Sequence, residues 1–393
     1  MTKSGALKWV LTYCVFIFGC SKSNSETKQL KIQPDDISIL GALPKEVPAP
    51  FDNAITEEKI TLGRFLFFDP ILSGSKDVSC ATCHHPEFGF AESLELSIGV
   101  NGKGLGSKRA FLSPNEIPFV KRNSQSIVNT AFNGIKINEP TDALEAPMFW
   151  DLRAKSLENQ AFEPIMAFEE MRGHAYKKEA AINEVVKRLK KIKEYQLLFE
   201  KAFGKKDAIN KENLGKAIAT YERTIVANNS RFDQYMNGDK TALSQNEIDG
   251  MLLFLKSGCA KCHNGPMFSD FKTHVIGVAD NENLKFSDDG FEKKYAFRTP
   301  SLRNLRFTFP YMHSGKLKTL QNVLEFYEDL SGGKIANPLV KPAQIDPLVE
   351  NLNVEFKDIS SIVEFINTLN DYKIDKTIPS RVPSGLNVGG NID

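Results

Sequence analysis

The chain has 393 residues, of which 41% are hydrophobic and 25% charged, and its formal net charge at pH 7 is +1. So balanced a composition gives no support to a nucleic-acid partner. The length suits a leader followed by two domains of ordinary size, and the sequence contains no internal repeat or low-complexity block.

The first residues are typical of a bacterial export signal. Two lysines accompany an apolar stretch, residues 9–18, that is too short to span a bilayer. Residues 17–20 (IFGC) resemble a lipoprotein cleavage site. We therefore expect a signal peptide at 1–19 and a lipid on Cys20 that anchors a periplasmic protein to a bacterial membrane. Ordinary cleavage without an anchor is the alternative.

Two copies of Cys-x-x-Cys-His carry the strongest signal in the chain. They use every cysteine beyond residue 20. In this pattern two thioethers attach a c-type haem, and the following histidine, His84 or His263, is the proximal iron ligand. A four-cysteine zinc site would leave both histidines unexplained, and disulfides across two residues are reactive redox pairs rather than structural cross-links. The residues expected to carry the two covalent haems are Cys80, Cys83, Cys259 and Cys262.

Apolar residues recur at helical spacing in several segments, and few alternating strand patterns occur. Ser244 and Glu247 form a capping box that opens a helix leading to the second haem motif. Long loops rich in Gly, Pro and Asn separate the helices. The other predicted helices cover residues 182–203, 214–226, 319–330 and 358–369.

The expected fold is mainly α, with two cytochrome-c-like haem domains, long loops and little strand. Each domain contains one haem motif. We place a polar tether at 20–50, an N-terminal haem domain at 51–235, a C-terminal haem domain at 236–372 and an extended tail at 373–393.

Longer segments around the two motifs resemble a known family. Residues 62–70 (LGRFLFFDP), 297–304 (FRTPSLRN) and 310–315 (PYMHSG) are similar to segments of the bacterial diheme cytochrome c peroxidases, which include the MauG group. The resemblance implies an oxidoreductase that acts on hydrogen peroxide. Its N-terminal haem, with His84, would meet peroxide, and its C-terminal haem, with His263, would handle electrons.

Reductively activated members of this family carry a histidine after a Ser-Ile-Gly, and that histidine caps the resting peroxidatic iron. Here the same three residues precede Val100. Since valine cannot ligate iron, we expect an N-terminal haem that is open to peroxide without prior reduction. His174 is the rival that could replace the missing ligand.

The family places a Gln and a Glu ten and twenty residues after a Trp, and Trp150, Gln160 and Glu170 stand at these offsets. The resemblance implies that Glu170 is the acid–base residue that moves the peroxide proton and that Gln160 is its polar companion. Trp150 would lie between the haems and relay electrons. A solvated glutamate and a core aromatic are the plainer interpretations.

Tyr327 stands where classical peroxidases have a methionine ligand to the C-terminal haem, and tyrosine is the MauG-like arrangement. A phenolate favours higher oxidation states of iron, whereas a thioether favours the reduced state. Tyr327 also continues the apolar stripe of its helix and could be a core residue. Met312 and Met267 remain rival ligands.

The resemblance also implies a calcium ion between the domains, held by the side chain of Asn123 and by the carbonyls of Thr308 and Pro310. Such oxygen donors with little charge suit calcium better than a transition metal.

Three functions remain open at this point. The first is a peroxidase supplied with electrons by a small cytochrome c or a cupredoxin. The second is a MauG-like oxidase that modifies residues of a partner protein, which Val100 and Tyr327 favour. The third is a diheme electron carrier without catalysis, which an open iron face argues against. A homodimer is left open.

Overall fold

The computed structural model describes residues 1–2 and 37–393, so the expected signal peptide, Cys20 and the first part of the tether lie outside the described residues. All described elements belong to the unit Ile32–Asp393. About 37% of the residues are helical, and strand is scarce. None of the described helices is both long and apolar enough to cross a membrane.

The helices of the N-terminal half pack around α1 (Glu57–Phe68) and α7 (Lys211–Glu222). A Cβ on Gly63 of α1 would overlap the carbonyl oxygen of Ala217 in α7, so only glycine allows this close approach. Buried side chains from these helices form the N-terminal core, with Leu62, Leu66 and Ile218 at its centre. These helices are α1 (Glu57–Phe68), α2 (Cys80–Cys83), α3 (Leu157–Gln160), α4 (Glu163–Met166), α5 (Ala181–Leu189), α6 (Lys193–Phe203) and α7 (Lys211–Glu222).

The C-terminal half repeats this arrangement with α9 and α11. A Cβ on Gly250 of α9 would overlap the carbonyl oxygen of Ser361 in α11. The C-terminal core is largely aromatic, with Phe254 and Phe365 in contact. Its helices are α8 (Arg231–Met236), α9 (Gln245–Lys256), α10 (Leu320–Ser331) and α11 (Ile359–Asn367).

Strands are limited to two antiparallel pairs of two residues each in the described part of the chain. The first joins β1 (Gly102–Lys103) to β2 (Ala110–Phe111). The second joins β3 (Thr273–His274) to β4 (Phe297–Arg298) and lies beside the second haem motif. The prediction of a mainly helical fold with little strand is confirmed.

Two predicted helix boundaries differ from the structure. The single helix expected over 182–203 is two helices, α5 and α6, because Ile192 has an extended backbone (φ −101°, ψ 111°). The helix expected at 214–226 ends at Glu222. The capping box that opens α9 forms as predicted, since Ser244 and Glu247 each bond the other's backbone N–H.

Two segments pack with the C-terminal core although the sequence placed them elsewhere. Leu40 and Leu43, from the expected tether, are buried, and Leu40 pairs with Gly265 beside the second haem motif. Helix α8 was assigned to the N-terminal domain, but its Phe232 lies in the C-terminal core. Both differences follow from burial of apolar side chains that a composition-based boundary does not locate.

The last residues, 373–393, run without helix over the N-terminal half and reach the first haem motif. Ser384 donates its hydroxyl hydrogen to Asp69 at 2.7 Å. Gly389 accepts a hydrogen bond from the Thr82 hydroxyl within the haem motif at 2.8 Å, and Gly390 pairs with Val78. This C-terminal tail therefore helps to hold the first haem motif in place.

Candidate active site

His84 closes the first haem motif at the end of α2. Its Nδ1 lies 3.2 Å from the carbonyl oxygen of Phe90, which can only accept a hydrogen bond. Nδ1 must therefore carry the hydrogen, and Nε2 keeps a free electron pair. Burial lowers the pKa of His84 to about 4, so the ring is neutral at neutral pH. This is the form in which histidine binds a metal.

His263 in the second motif has the same geometry. Its Nδ1 lies 2.9 Å from the carbonyl oxygen of Phe268, and burial lowers its pKa. Both halves thus present a neutral imidazole whose orientation is fixed by a backbone carbonyl.

The four cysteines are free and partly buried rather than joined in a cross-link. None forms a disulfide, and burial raises the pKa of Cys80 and of Cys259 to about 12. Among the described residues they are not gathered into a four-cysteine metal site, although Cys262 lies with Asp270 and His274 in a group of possible metal ligands. The geometry therefore fits covalent attachment of one haem at each motif better than a four-cysteine zinc site or a disulfide.

A cavity of about 720 Å³ opens beside the first motif, and we call it the N-terminal cavity. It is large enough for a sizeable ligand. Residues that are far apart in sequence meet in its wall, among them His84, Trp150, Gln160 and Glu170. The sequence-predicted residues are therefore brought together in one place.

Glu170 lies in a short π-helix, Phe168–Arg172, at this wall. Burial raises the pKa of Glu170 to about 7, with Glu169 and Glu163 acting in the same direction and Arg153 opposing them. A carboxyl group with this pKa can both accept and return a proton near neutral pH.

The loop that carries a ligand histidine in other members of the resembled family is packed against Glu170 here. The Val100 N–H donates to the carbonyl oxygen of Glu170 at 3.1 Å, and a Cβ on Gly99 would overlap the same carbonyl. The Val100 side chain is buried in the N-terminal core. His174 is exposed, lies edge-on against Phe168 and does not line the cavity.

Gln160 contributes an acceptor that the protein leaves unpaired. Its Oε1 is buried and has no hydrogen-bond partner among the described residues. Buried acceptors in native proteins are almost always paired, so this atom is poised to accept a hydrogen bond from a group in the cavity.

A narrower space of about 120 Å³, which we call the C-terminal cavity, opens beside the second motif. His263, Met312 and Tyr327 all line it, and most of the rest of its wall is apolar. Burial raises the pKa of the Tyr327 phenol, as do the two nearby thiols. Met267 does not line this cavity, but it lines a neighbouring space of about 140 Å³ together with His263 and Tyr327. Tyr327 and Met312, which line both spaces, are therefore better placed than Met267 to face a haem held by His263.

Trp150 lines both cavities. Its indole Nε1 donates to the carbonyl oxygen of Asn123 at 3.1 Å, and its own carbonyl accepts the backbone N–H of Arg298 at 2.8 Å. Its ring is mostly buried, so Trp150 is both a core aromatic and one of the side chains that the two cavities share.

The residues expected at a calcium ion line a third space of about 140 Å³. Asn123 donates from Nδ2 to the carbonyl of Leu94 at 2.8 Å, which leaves its Oδ1 turned away as an acceptor. Thr308 and Pro310 line the same space. Oxygen donors of this kind fit a calcium ion.

His274 is a charged group that the sequence did not reveal. Its Nδ1 lies 2.7 Å from Asp346 and its Nε2 2.9 Å from Asp270, and these carboxylates together with the neighbouring Cys262 thiol raise its pKa to about 11 despite burial. It lines the C-terminal cavity. Asp346 is 72 residues away in sequence, so no local pattern could have indicated the pair.

Comparison with known proteins gives a consistent result. Residues 57–241 match the Di-haem cytochrome c peroxidase family. The Methylamine utilization protein MauG of Methylorubrum extorquens is 32% identical over 382 residues, which cover 95% of this chain and 96% of that protein. Cytochrome c551 peroxidase of Nitrosomonas europaea is 30% identical over 357 residues, 88% of this chain and 90% of that protein.

Solved structures with a similar fold are also diheme or MauG-like proteins. A MauG-like protein associated with microbial copper homeostasis superposes with a TM-score of 0.66 at 26% identity, covering 84% of this chain and 95% of that one. The diheme peroxidase BthA from Burkholderia thailandensis shares the fold, with a TM-score of 0.62, 21% identity and coverage of 88% and 98%. The chain therefore belongs to the di-haem cytochrome c peroxidase family, with MauG-like relatives, and is an oxidoreductase that acts on peroxide and carries two c-type haems.

Proposed function

We propose that the protein reduces hydrogen peroxide in the N-terminal cavity. The reaction takes up two electrons and two protons and forms two molecules of water. The haems, when bound, supply the electron-transfer chemistry. The observation that carries the proposal is that His84 and Glu170 line one cavity, in which the carboxyl group has a pKa of about 7.

Glu170 is the acid–base residue in this proposal. Its carboxylate accepts the proton of one peroxide oxygen and returns it to the oxygen that leaves as water. The unpaired Oε1 of Gln160 accepts a hydrogen bond from the peroxide O–H and so orients it. The two side chains divide proton transfer and positioning between them.

The lining of the two cavities supports one set of ligands. His84 would hold one haem iron and His263 with Tyr327 the other, while the cysteine pairs would attach the two macrocycles. Trp150, which is present in both walls, conducts electrons between the sites.

Stopped-flow mixing of the all-ferric protein with peroxide tests the proposal. Glu170→Gln cannot transfer the proton and should slow the reaction about 10²- to 10⁴-fold. Glu179→Gln, a change of equal charge at an exposed position outside the cavity wall, is the control and should react nearly as the wild type does. Unchanged kinetics for Glu170→Gln would remove this residue from the mechanism.

A second candidate is oxidation of residues in a partner protein, which supply the two electrons in place of a small donor. The presence of Tyr327 in the C-terminal cavity and the similarity to MauG over 95% of the chain favour it. The test adds reduced cytochrome c or a reduced cupredoxin to the peroxide-treated protein. If the peroxide-treated protein returns rapidly to its ferric state, the result supports the peroxidase. If neither donor changes the rate of that return, the result supports the protein-modifying oxidase.

We also propose a periplasmic location, a lipid on Cys20 and a calcium ion at Asn123, Thr308 and Pro310. Export agrees with covalent haem. Cys20→Ala should move the protein from the membrane fraction to the soluble fraction.

Chelation of calcium should alter the haem spectra, and Asn123→Ala should abolish the recovery of those spectra when calcium is added back. Sedimentation of the purified protein decides between a monomer and a homodimer.

A further inference from the structure

Arg298 is a buried guanidinium that lacks a counter-ion. Only 6% of the residue is exposed, no carboxylate among residues 37–393 pairs with it, and burial lowers its pKa to about 10. Two other buried arginines in the chain are neutralised. Arg303 bonds Asp233 through both terminal nitrogens at 2.9 Å, and Arg223 likewise bonds Glu158. Buried charges are rarely left unpaired. We therefore expect the counter-ion of Arg298 to come from a group other than the polypeptide.

The hydrogen bonds of Arg298 use only part of its side chain. Nε donates to the carbonyl oxygen of Phe149 at 2.9 Å, and Nη2 donates to Oε1 of Gln125 at 3.1 Å. Both acceptors are neutral. No partner for Nη1 occurs in the described part of the chain, so donor capacity remains for an anion.

The position of Arg298 shows where such an anion would come from. The residue lies on β4 and lines the N-terminal cavity, the C-terminal cavity and the third space of about 140 Å³ that Asn123, Thr308 and Pro310 also line. Its backbone N–H also bonds the carbonyl of Trp150. The unpaired edge of the guanidinium is therefore open to the spaces that the haems would fill.

We propose that Arg298 binds a propionate carboxylate of one of the two haems and that the cofactor completes this ion pair. A haem brings two carboxylates into an otherwise apolar site, and the planar guanidinium fork matches a carboxylate better than any other side chain does. Arg298 is then a positioning residue, which fixes the macrocycle beside Trp150 and keeps the propionate ionised.

The test measures the reduction potentials of both haems by spectroelectrochemical titration across neutral pH. Arg298→Gln removes the positive charge, which disfavours the reduced iron, so one potential should fall. The unpaired propionate then takes up a proton as the pH drops, so the gap from the wild type should shrink at low pH and widen at high pH. Arg298→Lys keeps the charge and should shift the potential less.

Arg306→Gln, the same change at an exposed position in the same segment, is the matched control and should leave both potentials in place. Resonance Raman bands of the propionate groups provide a direct readout and should change for one haem in Arg298→Gln. If that variant binds fewer than two haems in a pyridine hemochrome assay, Arg298→Lys with the Raman measurement decides.

Two results would overturn the proposal. Potentials and Raman bands of the Arg298 variants that match the wild type would show that no propionate is bound there. Wild-type potentials that shift when chloride or acetate is added would show that the site takes a free anion instead of the haem carboxylate.

Discussion

In both halves a Cys-x-x-Cys-His motif ends in a histidine whose Nδ1 is bonded to a phenylalanine carbonyl, that of Phe90 in one half and Phe268 in the other. The surroundings differ. The N-terminal cavity is about 720 Å³ and contains the acid Glu170, whereas the C-terminal cavity is about 120 Å³, mostly apolar, and contains Tyr327. The attachment motif therefore fixes the cofactor, and the side chains around it decide which half can accept a substrate.

Removing one pair of cysteines at a time should give the largest difference between the two halves in haem content and in the reaction with peroxide. Replacing both Cys80 and Cys83 by Ala should lower the hemochrome content from two haems to one and abolish the reaction with peroxide. Replacing both Cys259 and Cys262 should also leave one haem but retain that reaction. Loss of the peroxide reaction in both double variants would contradict a division of labour between the halves.

The acid in the N-terminal cavity predicts a pH dependence. Below a pKa of about 7 the Glu170 carboxyl is protonated and cannot accept a proton from peroxide. The rate constant for the reaction with peroxide should therefore rise as the pH increases towards 7 and level off above it. Glu170→Gln should lack this rise. A variant that keeps the wild-type pH profile would assign the titration to another group.

The phenol in the C-terminal cavity can be removed with little change in volume. Tyr327→Phe should alter the low-spin spectrum of the C-terminal haem and leave the spectrum of the N-terminal haem unchanged. The reason is that Tyr327 lines the C-terminal cavity and not the N-terminal cavity. Met312→Leu is the matched change at the rival position. A spectrum altered by Met312→Leu and not by Tyr327→Phe would make the methionine the ligand.

The smallest expected effect is on stability and concerns the C-terminal tail, residues 373–393. Ser384→Ala removes the hydroxyl that bonds Asp69 and should lower the free energy of unfolding by about 1 kcal/mol. The Asp69 carboxylate keeps Tyr195 as a donor at 2.7 Å, which limits the loss. Chemical denaturation of the holoprotein measures the change, and Ser360→Ala in α11 serves as an exposed control. A loss equal to that of the control would mean that the tail contributes nothing through this bond.

Sequence analysis located the haem motifs because covalent attachment requires cysteines and histidine within five consecutive residues. It also selected Trp150, Gln160 and Glu170, which the structure brings into one cavity, although their roles remain proposals. The helices α9, α10 and α11 were predicted because their apolar stripes are local, as are the side-chain caps that open α9 and α10.

Features that depend on distant contacts could not be predicted in this way. The bond between Thr82 and Gly389 joins residues 307 positions apart, and the burial of Leu40 depends on the second haem motif. Arg298 lies in the family-like segment 297–304, yet its missing counter-ion is visible only when every neighbouring side chain is placed. The two-residue strands are too short for any alternating pattern to reveal.

The tail also bears on the order of assembly. The chain is synthesised from its amino end, so the first haem motif emerges more than three hundred residues before Gly389 and Gly390, which bond Thr82 and pair with Val78. Cys80 lies between these two contacts and Cys83 directly follows them, so the last segment closes over the motif only after the rest of the chain has been made. A premature stop within the final few residues would therefore damage the haem site that is made first and leave the one that is made last.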